Sequence, residues 1–356
     1  MTRASRTSTS TRPTLSDIAR VVETSEATVS RALRGSPEIS EQTRGLIRRV
    51  ARDLGYVPNA AARSLVRQTS LTLGLIVPDV TDPIHGLIIA GFGRAAERHG
   101  YTVIVLEGSG TSPRRLTAVR TLREHQAQGI AFCGAPISSR ETSEEALPAR
   151  TVFILPEGPD AALQADESLG RIMTDHAGGI RALIEHLIGT GRSQFSYVNG
   201  PDIASNRMRR NAILNALEQM GIEPRIREYA TTLEQADLDN VASLVARERP
   251  DALLCYDDKM ALHLLDALRR VGLRVPDDIA VTGFDGIPFA AISNPRLTTI
   301  VQPAEKLGEM AGEMLCEAIK SGNAPSDVIC PVKLAIRESS RPNGMSGGQQ
   351  EVSGDG

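Results

Sequence analysis

The side chains best suited to a chemical task lie on a short segment near the start of the chain. After Ser25, the outward positions of a helical pattern hold Glu26, Thr28, Ser30 and Arg31. Hydroxyl and guanidinium groups bond phosphate oxygens or the edges of bases, and one arginine can bond a guanine through two nitrogens. Ser25 is the predicted N-cap of the helix that presents them. These residue types at this spacing indicate a surface that contacts DNA.

Two short helices joined by a turn would position these side chains. Apolar residues recur at helical spacing in both stretches: Leu15, Ile18, Ala19 and Val22 in the first, and Ala27, Val29, Ala32 and Leu33 in the second. Each stretch can bury one face against the other, as in a helix-turn-helix, and a third helix is predicted over 41–54. An ordinary helical hairpin shows the same periodicity, so a second property has to decide between the two interpretations.

The charge of the chain is divided unevenly, and this division favours DNA binding. Residues 1–68 hold 12 arginines, no lysine and 6 acidic residues, a net charge of +6, whereas the remaining residues carry a net charge of −9. A basic head neutralises DNA phosphates, while an acidic body is repelled by them. We therefore prefer a DNA-binding head to a purely structural hairpin.

Five motifs, in order along the chain, resemble one family. They read DIAR, ATVSRAL, TRGLIRRVARDLGYVPNAAARSL, TGFDGIPFA and LTTIVQP. Together they resemble the lactose-repressor (LacI/GalR) family of bacterial transcription regulators, over about residues 14–340. The resemblance implies a homodimeric repressor that binds a palindromic double-stranded operator and responds to a small-molecule effector.

The resemblance also implies which residues contact DNA. Glu26, Ala27 and Arg31 match the base-reading positions of the recognition helix, and Leu65 matches the leucine that wedges between base steps in the minor groove. Together with the residues suggested by helical spacing, the candidate DNA contacts are Thr14, Ser25, Glu26, Ala27, Thr28, Ser30, Arg31, Asn59, Ala62, Arg63 and Leu65. The family has Gly-Val at the turn where this chain has Glu23 and Thr24, and a left-handed non-glycine residue costs about 1 to 2 kcal/mol.

Beyond residue 70, predicted strands alternate with predicted helices. The first run has strands at 71–77, 101–106 and 129–133 and helices at 84–99 and 114–127. After Asp175 a second run has helices at 178–190, 207–220, 234–248 and 259–271 and strands at 195–198, 252–255 and 279–284. This alternation predicts two doubly wound parallel sheets with helices on both faces.

The expected fold class is an N-terminal all-α helix-turn-helix head followed by an α/β core of two such subdomains, like that of periplasmic binding proteins. The expected parts are an unstructured basic arm (1–13), the head (14–57), a hinge helix and linker (58–70), the core (71–340) and an unstructured tail (341–356). The chain is expected to cross between subdomains near Thr174, Val301 and Asp327, so that 71–174 and 303–326 form one and 175–301 and 327–340 the other. The tail carries no leucine heptad, which favours a dimer over a tetramer.

Polar residues that follow the predicted strands are candidates for effector contacts, because ligands bind beyond the carboxyl ends of parallel strands. The candidates are Asp82, His85, Arg209, Asp257, Asp285 and Gln302. Arginine and carboxylate groups give directional bonds to vicinal hydroxyls, which suits a sugar. In the family pattern Arg209, Asp285 and Gln302 match effector contacts, and Asp257 replaces the usual asparagine. For Asp258, an N-cap of the following helix is the simpler interpretation.

The effector class stays open at this point. Ile84 and His85 replace aromatic residues that many relatives carry, and His85, Arg209 and Lys259 near the cleft suggest an anionic sugar acid or sugar phosphate. The alternative for His85 is a hydrogen-bonded residue at a helix start. A purine or another non-sugar metabolite is the alternative effector.

An enzyme is the alternative from another class, because residues 91–96 match a dinucleotide-binding fingerprint. That segment lies inside a predicted helix, where its glycines cannot form the turn that holds a pyrophosphate. The four cysteines lack metal-ligand spacing. We therefore expect no catalytic residues, no metal and no cofactor rather than a nicotinamide-dependent enzyme. Without an 18-residue apolar run or a signal peptide, the expected location is the cytoplasm.

Overall fold

Three short helices with polar N-caps build the first part of the protein. The computed structural model describes residues 13–56, 70–108, 112–134, 150–156, 169–223, 225–341 and 351–353. The head helices are α1 (Leu15–Val21), α2 (Glu26–Leu33) and α3 (Glu41–Asp53). The hydroxyls of Thr14, Ser25 and Ser40 cap them by accepting a backbone N–H from the first turn. The predicted N-cap at Ser25 is therefore present.

The head has a small core of its own. Its buried residues are Ile18, Ala19, Val29, Ala32, Ile47 and Ala51. Ala27, predicted on the apolar face of α2, is exposed instead, whereas Val29 and Ala32 are buried and Leu33 is half-buried against the same core. In that turn Glu23 has φ +55°, the left-handed conformation that normally favours glycine.

The remaining unit starts at Leu71 and contains two sheets. Lobe 1 is a parallel sheet in the order β11-β5-β4-β3-β1-β2. Its strands are β1 (Thr72–Val77), β2 (Thr102–Glu107), β3 (Gly129–Cys133), β4 (Thr151–Ile154), β5 (Gly170–Thr174) and β11 (Val328–Cys330). Its helices are α4 (Pro83–Arg98), α5 (Ser112–Glu124) and α10 (Ala304–Ser321). The central strand β3 is buried along its whole length, as expected for a sheet covered on both faces.

Lobe 2 is a seven-stranded sheet in the order β13-β12-β10-β9-β8-β6-β7. Its strands are β6 (Phe195–Asn199), β7 (Arg227–Ala230), β8 (Ala252–Cys255), β9 (Ala280–Asp285), β10 (Thr298–Val301), β12 (Lys333–Ala335) and β13 (Glu351–Ser353). Its helices are α6 (His176–Gly189), α7 (Ala204–Gln219), α8 (Gln235–Glu248) and α9 (Asp258–Arg270). Strands β6 to β10 are parallel to one another, whereas β12 and β13 pair antiparallel at one edge of the sheet.

Two features of the chain's domain organisation differ from those expected from the sequence: the last crossing between the lobes and the tail. Val328 pairs with Ile172 in lobe 1, so the chain passes to lobe 2 after Cys330 rather than near Asp327. The tail predicted to lack structure supplies strand β13, in which Val352 pairs with Leu334. The backbone of residues 351–353 thus extends the sheet along the outer edge of β12.

The glycines of the dinucleotide fingerprint lie inside α4, where they serve helix packing. A Cβ atom at Gly91 would lie 1.9 Å from the carbonyl oxygen of Glu305 in α10. Gly308 of α10 approaches the carbonyl of Ile88 as closely, so the two backbones are in direct contact. The fingerprint is therefore a helix-contact feature and forms no phosphate-binding turn.

Candidate functional site

The head presents the predicted DNA-contacting residues along one helix. Glu26, Ala27 and Arg31 are exposed on α2, while Thr28 and Ser30 are half-buried. Ser25 Oγ lies 2.9 Å from Thr28 Oγ1 and accepts the Thr28 N–H at 3.1 Å. The first turn of α2 is therefore ordered by its cap, and its N-terminus, where base contacts are made in this motif, faces solvent.

Thr14 and Arg31 have structural partners within the head. The Thr14 N–H donates to Asp17 at 2.9 Å, and the Asp17 N–H donates back to Thr14 Oγ1, which forms a capping box for α1. Arg31 lies 3.6 Å from Glu38, and its side chain is 45% exposed. An exposed ion pair of this kind contributes little, so the guanidinium is free to exchange Glu38 for another acceptor. Asn59, Ala62, Arg63 and Leu65 lie outside the described residues.

A cavity of about 1370 Å³ separates the two lobes. All six residues predicted to contact an effector line it: Asp82, His85, Arg209, Asp257, Asp285 and Gln302. They lie at the carboxyl ends of strands or in the loops and helices that follow them, in both lobes. The volume exceeds what one small metabolite needs.

Asp285 is the centre of a buried hydrogen-bond network. Arg209 Nη2 donates to Asp285 Oδ1 at 3.0 Å, and Gln302 Nε2 donates to the same oxygen at 2.8 Å. Gln302 Oε1 in turn accepts from Thr174 Oγ1 at 2.8 Å. Within the described part of the chain, Asp285 Oδ2 accepts no bond. The carboxylate is thus oriented by two donors with one oxygen left over.

Burial and backbone conformation both mark Asp285 as unusual. Burial raises the pKa of its carboxyl to about 6, although the charge of Arg209 opposes that shift. Its φ of +112° lies outside the regions that residues with a Cβ normally adopt. Such strain persists only where the surroundings enforce it, and it concentrates at functional sites.

Arg209 is held by stacking as well as by hydrogen bonds. Its guanidinium lies 3.8 Å from the ring centroid of Phe284 and 4.8 Å from that of Tyr256. Nη1 donates to the Tyr256 carbonyl at 2.6 Å, while Nε is buried without a partner among the described residues. The guanidinium therefore occupies the aromatic faces that a flat ligand would otherwise use.

The N-cap role predicted for Asp258 belongs to Asp257, which also lines the cavity. Asp257 is the N-cap of α9, where its Oδ1 accepts the Met260 N–H at 2.7 Å. Asp258, predicted to be the cap, is the first helical residue and is fully buried. The prediction was wrong by one residue because helix boundaries are poorly fixed by sequence. Burial raises the pKa of Asp257, which lines the cavity.

At the opposite wall, His85 and Asp82 are both occupied within the protein. His85 Nδ1 lies 2.7 Å from the Asp79 carbonyl oxygen, as expected for a hydrogen-bonded residue at a helix start. Asp82 caps α4 by accepting the Ile84 N–H at 3.1 Å. Its second oxygen lies 2.6 Å from Lys259 Nζ, which belongs to lobe 2.

His176 also lines the cavity, although no sequence pattern indicated it. It opens α6 directly after β5, a strand that the sequence pattern did not reveal because it is short and half polar. Burial, followed by the nearby charge of Arg209, lowers the pKa of His176 to about 4. The imidazole is therefore neutral at pH 7, and its Nδ1 has no partner among the described residues.

No group of three or more metal-ligating side chains occurs in the described part of the chain. The four cysteines are buried, and none forms a disulfide within the described part of the chain. Likewise, no helix that the structure describes is long and apolar enough to span a membrane.

Comparison with known proteins identifies the family to which this architecture belongs. Residues 14–59 match the family model "Bacterial regulatory proteins, lacI family", and residues 184–340 match "Periplasmic binding protein-like domain". The "Ribose operon repressor" of Haemophilus influenzae is 30% identical over 317 residues, 87% of this chain and 93% of that protein. The chain belongs to the LacI family of bacterial regulators.

Two further likenesses agree with the family. The "HTH-type transcriptional repressor PurR" of Vibrio atlanticus is 31% identical over 318 residues, 86% of this chain and 92% of that protein. The crystal structure of the Lac repressor dimer bound to operator and an anti-inducer matches with a TM-score of 0.80 at 24% identity, over 93% of this chain and 99% of that one. The predicted family and fold are confirmed. This member of the LacI family is a DNA-binding transcriptional repressor with a ligand-binding domain, and not an enzyme.

Proposed function

We propose that this LacI-family protein binds a palindromic operator as a homodimer in the cytoplasm and is controlled by a small carbohydrate-like effector in the cavity between its lobes. The observation that carries the proposal is the Asp285 network. Its Oδ1 is fixed by Arg209 and Gln302, while Oδ2 remains available to accept from a hydroxyl. A carboxylate oriented in a partly dehydrated site suits a sugar hydroxyl pair.

The charges around the cavity favour a neutral effector over the sugar acid or sugar phosphate considered above. Arg209 already pairs with Asp285, and Lys259 already pairs with Asp82. An anionic ligand that binds either of these cations would have to break its pair and leave a carboxylate behind. A purine would gain little stacking energy in this cavity, because the guanidinium of Arg209 already covers the face of Phe284.

For the head, we propose that Glu26, Ala27 and Arg31 read bases and that Thr14, Ser25, Thr28 and Ser30 contact phosphates. Asn59, Ala62, Arg63 and Leu65 are proposed as hinge contacts in the minor groove. Exposure of the first three on one helix face supports the assignment. Contacts to base edges give specificity, whereas phosphate contacts fix the register.

For dimerisation we propose the surface of lobe 2 that carries Phe289 and Ile292. These side chains are 53% and 77% exposed in and beside a short 3₁₀ helix. Large apolar side chains exposed together mark association surfaces.

A matched ligand panel tests the effector class. Thermal unfolding of the full chain is followed with D-ribose, D-glucose, D-gluconate, D-ribose 5-phosphate and hypoxanthine. Stabilisation by a neutral sugar supports the proposal, because a ligand that binds only the folded state raises its stability. Stabilisation by the acid, the phosphate or the purine alone would replace the proposed effector class with that one.

A further inference from the structure

One ion pair crosses the cavity from lobe to lobe. Lys259 Nζ at the start of α9 lies 2.6 Å from Asp82 Oδ2 at the start of α4. The Lys259 and Asp82 side chains are only 28% and 14% exposed. Partly buried charges are screened less than surface charges, so this pair attracts more strongly than an exposed one.

The lobe 1 end of the pair is fixed. Asp82 is the N-cap of α4, and its Oδ1 accepts the Ile84 N–H. One oxygen therefore holds the carboxylate to its own helix, and only the other faces lobe 2. Movement of Asp82 requires movement of α4, which packs directly on α10.

The lobe 2 end is fixed by the two residues that precede Lys259. Asp257 caps α9, and the buried Asp258 accepts from Thr299 Oγ1 at 2.5 Å and from the Ile287 N–H at 2.8 Å. These bonds tie the first turn of α9 to the centre of the sheet. A pull on Lys259 is thus transmitted to lobe 2 as a whole.

Lys259 also separates carboxylates that belong to different lobes. Asp79 and Asp82 of lobe 1 and Asp257 of lobe 2 all act on it electrostatically. Burial alone would lower the pKa of Lys259, but the carboxylates of Asp82, Asp257 and Asp79 together outweigh burial, and the pKa is raised. Without this cation, Asp82 and Asp257 would repel each other across the cavity.

We infer that Lys259 and Asp82 form a latch that sets how far the two lobes close over the cavity. The sequence suggested that Asp82 contacts the effector. In the latch it is instead a positioning residue that acts with Lys259. The latch does not depend on which effector binds, since both partners are side chains of the protein itself.

A distance measurement on the full chain tests the latch. Spin labels are attached at E124C on α5 of lobe 1 and E218C on α7 of lobe 2, both exposed positions, whereas the native cysteines are buried. Labelled chains are diluted with unlabelled ones so that only distances within one chain are recorded. We expect K259M and D82N each to shift the distance distribution to longer and broader values. Asn still caps a helix, so D82N removes the charge and keeps the cap.

Two controls isolate the charge pair. K259R keeps the cation and is expected to retain the parent distribution. E305Q removes the ion pair between Arg94 and Glu305, which lies within lobe 1, and is expected to leave the distance unchanged. A K259M distribution that superimposes on the parent would overturn the latch, as would equal shifts in K259M and K259R. Circular dichroism confirms that each variant is folded.

Discussion

At the scale of single residues, function depends on which atom of a side chain is left free. Asp285 commits Oδ1 to Arg209 and Gln302, whereas Asp82 commits both oxygens within the protein. Both residues line the same cavity and share one chemistry. Their partners, rather than their type, assign them to different tasks.

Arg31→Ala tests base reading by the head. If Arg31 bonds a base, the variant loses about 1 to 3 kcal/mol of operator affinity and loses preference at one symmetric position in each half-site. Fluorescence anisotropy on a set of singly substituted operators measures both effects. Arg225→Ala, which removes an exposed arginine from lobe 2, serves as the control and should bind like the parent. An equal loss on all sequences with a shallower salt slope would instead make Arg31 a phosphate contact.

Asp285→Asn tests the cavity network. The amide keeps the shape of the side chain but cannot accept from a ligand hydroxyl with the same strength, so effector affinity should fall by about 2 to 3 kcal/mol. Calorimetric titration with the most stabilising sugar of the panel measures it, and operator affinity without effector should be unchanged. Asp278→Asn, which disrupts a surface pair with Arg274, is the matched control. Undiminished affinity in Asp285→Asn would remove this residue from the site.

At the scale of elements, local backbone geometry sets how the reading helix is held. In the turn between α1 and α2 Glu23 has φ +55°, and Ala27 in the first turn of α2 is exposed. The cap at Ser25 then orders the first turn of α2. A small change in this turn therefore acts on the whole reading surface.

Glu23→Gly should stabilise the head. Glycine removes the strain of a left-handed residue with a Cβ, about 1 to 2 kcal/mol, but it also increases the conformational entropy of the unfolded chain. The net increase in the stability of the head should be about 1 kcal/mol. Hydrogen exchange of α1 to α3 in the full chain should slow by up to about fivefold, because exchange by local unfolding follows stability. Glu23→Ala keeps the strain and should exchange like the parent. Faster exchange in Glu23→Gly would show that Glu23 makes a stabilising contact that outweighs its strain.

The elements also show what could be read from sequence. Long amphipathic helices such as α3 and buried strands such as β3 were predicted within a residue or two, because their periodicity is strong. Short, half-polar β5 and edge strand β13 were missed, since they depend on neighbours distant in sequence. All six predicted cavity residues line one cavity. The pairing of Asp82 with Lys259 was not predictable, because it depends on how the two lobes face each other.

At the scale of the whole molecule, the unequal division of charge separates the two tasks. The arginine-rich head carries the net positive charge, and the core carries the excess of acid. Within the core, burial shifts the pKa values of histidine and aspartate side chains in opposite directions. His176 and His186 are held neutral, with their pKa values lowered to about 4, whereas the pKa of Asp285 is raised to about 6.

Acid should destabilise the core through these histidines. Burial lowers the pKa values of both histidines in the folded state, so below about pH 6.5 the unfolded chain binds more protons than the folded chain. The free energy of unfolding therefore decreases as the pH falls from 6.5 towards 4. Asp285 acts in the opposite sense, because its raised pKa lets the folded state take up a proton. His186→Gln should therefore lose less unfolding free energy than the parent between pH 7 and pH 4.5 in urea titrations. His263→Gln, at an exposed position, should follow the parent, and identical pH profiles for all three proteins would contradict the role of His186.

The central claim, that an exposed head reads operator DNA under the control of the cavity, is tested most directly by DNA selection with the purified full chain. Random duplexes are enriched by binding, and anisotropy of the enriched duplex is then measured with and without the stabilising sugar. We expect a palindromic site that is bound by two chains. Its affinity should change when the sugar is added, and binding should be lost in Arg31→Ala. Enrichment of no sequence, or of an asymmetric site bound by one chain and indifferent to the sugar, would contradict it.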